Sequence, residues 1–176
     1  NLLPDNSHIW RPFAPTSRIE VQINRPGWNW NGHGYFDANF GSNALEKDFS
    51  YWTWGRFPSN DGSITFYDAL PRENMPLHLA LRFNKNGEVE PMDTPPPITK
   101  MSPSLWLVNR TTRSDSGFKP RQIKHMLDTP FYTRSAVETS ILGERVIGVH
   151  EALDLDRFAN PALKPLLAVK APRYTW

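Results

Sequence analysis

The residues with the clearest chemical potential lie in NGHGYFDANFGSNALEKDFSYWTWGRF, Asn31 to Phe57, where Asp37 shares one short stretch with eight aromatic side chains. Side chains alternate along an extended chain, so Gly32 to Phe40 as a strand puts His33, Tyr35, Asp37 and Asn39 on one face. Gly34, Phe36, Ala38 and Phe40 take the other, and in the next segment Trp52, Trp54 and Arg56 share a face. A carboxyl group held against aromatic walls has a poorly solvated anion, so it can stay a proton donor near neutral pH. The ring faces also stabilise positive charge that develops nearby. That combination suits protonation of an unactivated alkene. The same residues fit a purely structural role: tryptophans filling an interior, Asp37 bonded to a turn or paired with Arg56, and glycines admitting close strand contacts.

Other chemistries find weaker support. His8, His33, His78, His125 and His150 are scattered without the i, i+4 spacing of a helical zinc motif, so no metal site is expected. A G-x-S-x-G nucleophile elbow is missing, and GHGYFDANFG offers G-x-G without the third spaced glycine of a dinucleotide fingerprint. The stretch VHEALDLDRF at the sheet exit allows His150 or Glu151 to stand near the mouth of a barrel, but a solvated or ion-paired face is the expected role. In DTPFYTRS, Tyr132 and Asp128 read first as loop-fixing residues.

The elements that must position these side chains read as β structure. Strands are expected near Arg18 to Asn24, Gly32 to Asn39, Tyr51 to Phe57, Ser63 to Asp68, Leu77 to Asn84, Leu105 to Thr112, Thr133 to Leu142 and Glu144 to Glu151. NRPGW, SNDGS, NKNGE and ILGERV supply the turns between them. Four prolines between Pro91 and Pro97 mark EPMDTPPPITKMSPS as a long loop. Leu155, Phe158, Leu163, Leu166 and Leu167 recur at roughly helical spacing, interrupted by Pro161 and Pro165, so short helical pieces are expected over 152–170.

With 176 residues and 39% hydrophobic content the chain can enclose the core of one domain. A formal charge of only +2 argues against a nucleic-acid partner, despite a pI near 9.0. The lack of cysteine excludes disulfides, thiolate metal sites and a cysteine nucleophile. No apolar run is long enough for a membrane-spanning helix or forms the core of a signal peptide, so a soluble chain is expected. It opens on Asn1 rather than methionine, which reads as a fragment of a longer protein.

Several motifs carry a family resemblance over nearly the whole chain. W-x-P-x-A-P-x-x-R-I-E-V (Trp10 to Val21), PGWNWNGHGYFDANFG, LEKDFSYWTWGRF, FYDA, LALRF, DTPFYTRS and VHEALDLDRFANP resemble the carotenoid 1,2-hydratases, also called hydroxyneurosporene synthases. The resemblance implies an all-β, lipocalin-like (calycin) antiparallel barrel of about eight strands with short C-terminal helical segments. Residues 1–176 would form one such domain, the second unit of a longer protein. It also implies cofactor-independent hydration of the terminal C1,C2 double bond of an acyclic carotenoid, by an enzyme that is cytoplasmic and peripherally attached to the membrane. The Pro-rich loop or the C-terminal apolar segment would make that attachment. Asp37 matches the carboxylate of the G-Y-x-D motif and would be the acid, with Tyr35 and Asn39 orienting it or the water. His33, Trp52, Trp54, Arg56, Tyr67 and Tyr132 complete the expected substrate-binding set. The family block W-x-W-S-R often carries Asp between the tryptophans, whereas this chain has WTWGR, with Thr53 and Gly55; were that Asp the essential acid, this protein would be inactive or altered in substrate. Related lipocalin-like Diels–Alderases set the alternative, an apolar polyene-binding pocket or pericyclase in which Asp37 is structural.

Overall fold

A computed structural model describes residues 1–168. Its eleven strands are β1 (His8–Ile23), β2 (Trp28–Gly41), β3 (Phe49–Ser59), β4 (Gly62–Pro71), β5 (Leu77–Asn84), β6 (Val89–Pro91), β7 (Ile98–Lys100), β8 (Thr111–Arg113), β9 (Arg121–Asp128), β10 (Tyr132–Ile141) and β11 (Glu144–Asp154). Two short helices, α1 (Leu45–Asp48) and α2 (Leu155–Ala159), and a 3₁₀ turn at Lys164–Ala168 complete it. The all-β expectation holds.

Seven strands form one antiparallel sheet in the order β6-β5-β4-β3-β11-β10-β9. This sheet does not close on itself, and its arrangement is compatible with a lipocalin-like fold. Two small sheets, β1-β2 and β7-β8, stand apart from it. The β1-β2 hairpin packs on one face, where Trp10 joins Phe49, Trp54, Tyr67, Phe83 and Leu155 in a core. On the other face Phe57, Ile64, Phe66, Ala80, Ile141 and Val146 form a second core, with Met92 packed against it. Central strands β3 and β4 are therefore buried on both sides, which suits their dense run of aromatic and β-branched residues. Leu77, Leu79, Leu81 and Phe83 all pack towards the first core, as their alternation predicts.

Turn chemistry agrees with the sequence. Leu142 and Gly143 both have positive φ, 53° and 84°, the geometry of a two-residue hairpin whose twist matches the flanking strands. Asp115 accepts hydrogen bonds from the backbone N–H groups of Leu142 and Gly143 and from the Ser140 hydroxyl. Burial opposes its charge, but these donors prevail and hold its carboxyl below the usual carboxylate range.

Four expectations need correction. The proline-rich segment is not one long loop, since β6 runs to Pro91 and Ile98–Lys100 form β7, paired with β8 beyond the last proline of the run. Leu105 to Thr112 is not a strand: Leu107 takes a left-handed φ of 59° inside a turn closed by Leu107 N–H to Ser104 C=O, and only Thr111 and Thr112 enter β8. Strand β9 went unforeseen because it is an edge strand whose charged residues blur the alternation. Residues 152–154 extend β11 rather than start a helix, since Asp154 still pairs with Tyr51. Asp154 then caps α2 by accepting the Arg157 N–H at 2.9 Å. Residues 169 and 170 of the expected helical region, and the APR towards the terminus, lie outside the described residues.

His150 provides a pH test of the fold. It is fully buried, its Nε2 lies 2.7 Å from the Thr111 carbonyl, and burial pushes its pKa down to about 4. The unfolded chain takes up a proton near pH 6.5 that the folded chain refuses, so stability is complete above that pH and falls as pH drops towards 4. The expected loss is about 2 kcal/mol by pH 5 and about 3 kcal/mol near pH 4. Urea unfolding midpoints at pH 7.5 and 5.0 check it, and His150→Gln should flatten the difference.

Candidate active site

Strand β2 presents Tyr35 and Asp37 towards the main sheet, where they meet Trp52 and Trp54 of β3, Tyr67 of β4, Arg134 of β10 and Glu151 of β11. With Phe36 and Asn39 these residues enclose a cavity of about 240 Å³. Its walls are aromatic: the rings of Tyr35 and Trp54 lie 5.1 Å apart, and those of Trp52 and Tyr67 lie 5.7 Å apart. Asp37 is half-buried among them.

One carboxylate oxygen of Asp37 is fully engaged. The Trp10 indole N–H donates to Oδ2 at 2.6 Å and the Tyr35 hydroxyl donates to the same atom at 2.7 Å. Trp10 reaches it because β1 pairs antiparallel with β2, setting Trp10 opposite Asn39 and Pro12 opposite Asp37. Burial, then the hydrogen bond to Asp37 and its charge, hold the Tyr35 phenol well above its ordinary pKa, so it stays a donor. The Arg56 guanidinium lies 5.4 Å from the centre of the Tyr35 ring and donates from Nε to the Pro15 carbonyl at 2.8 Å. It packs behind Tyr35 instead of pairing with Asp37.

Glu151 brings a second carboxyl to the cavity. Its Oε1 lies 3.4 Å from Arg134 Nε, and burial raises its pKa above the ordinary glutamate value, opposed by Arg134 and Tyr132 and reinforced by the charge of Asp37. The ion-paired character expected for Glu151 holds, and it also lines the cavity, the position that the less favoured reading of VHEALDLDRF allowed. Neighbouring His150 points to the opposite face, bonded to Thr111, as alternation along β11 requires.

Of the expected set, Tyr35, Asp37, Asn39, Trp52, Trp54 and Tyr67 line this cavity. Arg56 supports it from behind. Tyr132 interacts with Glu151 and Arg134 without lining the cavity, and the charge of Glu151 adds to the burial that raises its pKa. His33 sits elsewhere, in a shallow surface depression beside Pro58, Asn60 and Arg145. It shares a strand face with Asp37, but it stands beyond Gly34 over the far ends of β3 and β11. Trp10, Arg134 and Glu151 are the members that strand-by-strand reading missed. The opening tryptophan of the W-x-P block was the available signal for the first.

Residues 1–176 match the family model described as Carotenoid hydratase CrtC. The chain belongs to the carotenoid hydratase family. It is similar to proteins named acyclic carotenoid 1,2-hydratase from Cereibacter sphaeroides, at 54% identity over 172 residues, 98% of this chain and 61% of that relative. The Rhodobacter capsulatus protein of the same name is 52% identical over 172 residues, with the same coverage of 98% and 61%. That from Thiocapsa roseopersicina is 42% identical over 170 residues, 97% of this chain and 42% of the relative. The chain thus spans about three-fifths of the length of the first two relatives. No solved structure matches it.

The WTWGR block of this carotenoid hydratase family member has a structural reading. Trp52 and Trp54 face the cavity, so Thr53 between them faces the other side of the sheet, where it is buried. A side chain at position 53 therefore points away from Asp37. Gly55 lies against the Phe57 ring, where an added Cβ would stand 2.8 Å from a ring carbon.

Proposed function

We propose that the full-length protein hydrates the terminal C1,C2 double bond of an acyclic carotenoid, as a hydro-lyase that needs no cofactor, with Asp37 as the acid. One observation carries the reading: a carboxyl whose Oδ2 is held by Trp10 and Tyr35 stands in an aromatic-walled cavity. Two donors on Oδ2 orient the group and leave Oδ1 to carry the proton. The π electrons of the alkene take that proton at C2, a tertiary cation forms at C1, and water captures it. Trp52, Trp54 and Tyr67 offer ring faces to the cation. Asn39 and Tyr35 orient the acid or the water. The names of the relatives support the substrate class.

A cavity of about 240 Å³ falls below the ~300–1,000 Å³ typical of sites that engulf a drug-sized ligand. It suits the end of a long chain rather than the whole. Expressing the full-length protein in cells that make lycopene or neurosporene should yield a more polar carotenoid heavier by one water. A cyclised product of unchanged mass, or binding without conversion, would defeat the hydratase reading.

The substrate resides in lipid, so we propose peripheral membrane contact. Among the described residues no helix is long and apolar enough to cross a membrane. The side of β2 that carries even-numbered residues supports surface contact: Trp28, Trp30, Phe36 and Phe40 are exposed, and Arg11, Arg18 and Arg25 are exposed on the same hairpin. Sedimentation of full-length protein with phosphatidylglycerol vesicles should show binding that Trp28→Ser/Trp30→Ser weakens about tenfold.

A further inference from the structure

Hydration moves two protons. One enters the alkene at C2, and another must leave the water once its oxygen has bonded to C1. Asp37 supplies the first under the proposed function, on which this inference rests. The cavity contains one further carboxyl, on the facing sheet.

We propose that Glu151 accepts the proton released by the attacking water, so that the two carboxyl groups divide the two proton transfers between them. Glu151 pairs in register with Trp54 on β3, which places it beside a wall of the same cavity that Asp37 enters from the hairpin. Arg134 Nε lies 3.4 Å from Glu151, where its charge opposes the effect of burial, and the Glu151 side chain is only 17% exposed. The Glu151 carboxyl and the Asn39 amide give a water molecule in the cavity polar partners within its walls.

The charge on one carboxyl group bears on the proton affinity of the other. The groups facing Glu151 are Tyr132 and Arg134 from β10, Asp37 and Tyr35 from β2, Tyr67 from β4 and the two tryptophans from β3. Burial, the largest influence, and negative charge on Asp37 disfavour the Glu151 anion, while Arg134 and Tyr132 favour it, and the net effect raises its pKa. Asp37 becomes negative when it protonates the alkene. At that moment Glu151 becomes the better proton acceptor, just as water needs one. The balance is complete: the Asp37 O–H bond breaks and a C2–H bond forms, then the water oxygen bonds to C1 as its proton passes to Glu151. Proton exchange through solvent restores protonated Asp37 and ionised Glu151.

The test uses full-length protein, lycopene and D₂O, with hydrated product and deuterium at C2 of recovered lycopene both measured. In Glu151→Gln the cation still forms but is captured slowly, and it returns to alkene by losing a proton from C2. Hydration should fall at least about 100-fold while deuterium keeps entering recovered substrate. Glu151→Asp, which keeps the carboxylate, should restore part of the hydration. Wild-type hydration should show a bell-shaped pH profile whose acid limb disappears in Glu151→Gln. Equal loss of hydration and exchange in both variants, or hydration within threefold of wild type in Glu151→Gln, would overturn the role of Glu151. Wild-type protein that neither hydrates nor exchanges would instead overturn the hydratase reading beneath it.

Discussion

Asp37→Asn in the full-length protein is expected to lower formation of the hydrated carotenoid by about a thousandfold or more, within or beyond the range for removing a positioned general acid. The asparagine side chain is isosteric and keeps an oxygen that can accept from Trp10 and Tyr35, so the hairpin should retain its place. It has no acidic proton to give. Product chromatography coupled to mass measurement, together with an unchanged melting temperature, separates loss of chemistry from loss of fold. Hydration within tenfold of wild type would remove Asp37 as the acid. In D₂O this variant should also stop deuterium entering recovered substrate, in contrast to Glu151→Gln.

The largest loss of stability is expected on the opposite side of the sheet. Arg113 donates to both carboxylate oxygens of Asp68, from Nη2 at 2.6 Å and Nε at 3.1 Å, and to the Pro96 carbonyl from Nη1 at 3.0 Å. The two side chains are only 7% and 10% exposed, with His78 Nδ1 2.8 Å from the same carboxylate. Arg113→Met leaves a buried carboxylate without its main partner and frees the proline-rich segment from β4. The expected cost is about 3–5 kcal/mol. For a domain of this size that corresponds to roughly 10 °C in melting temperature. Asp68→Leu/Arg113→Met together should regain much of it, because the pair's desolvation is then avoided. Urea titration of the two variants measures both effects.

Local alternation made the central part of the site legible. Trp52, Trp54 and Arg56 do share one face, and Tyr35 and Asp37 share another, since a strand's side-chain period survives any tertiary context. Pairing between distant strands was not legible. Glu151 belongs to the cavity because β11 lies beside β3, and Trp10 because β1 folds back on β2. The NRPGW turn marks the second adjacency, whereas nothing in the residues themselves marks the first. His33 shows the limit of the alternation rule: it fixes the face on which a side chain stands, not how far along the strand a cavity extends. The segment from Leu105 misled because Leu, Trp and Val are strand-forming types, while the turn there depends on the backbone and on Arg110 donating to the Ser102 carbonyl. Family membership was legible from motifs spread along the chain and is matched over its whole length.

The β1-β2 hairpin shares no backbone ladder with the seven-stranded sheet. Its anchorage includes side-chain bonds, among them Arg56 to Pro15, Ser63 to Pro15 and Thr16 to Ser63, and the tilted ring pairs Trp10–Tyr67 and Tyr35–Trp54. Asp37, the proton donor under the proposed function, thus rides on one layer and the floor beneath it belongs to another, with the spacing between them fixed by side-chain size. Ladder geometry quantises distances between neighbouring strands, but a layer-to-layer gap adjusts continuously as side chains gain or lose a methylene. Exchanging residues such as Arg56 or Tyr67 would thereby retune the reach of the acid, and the girth of alkene it serves, while every strand kept its partner.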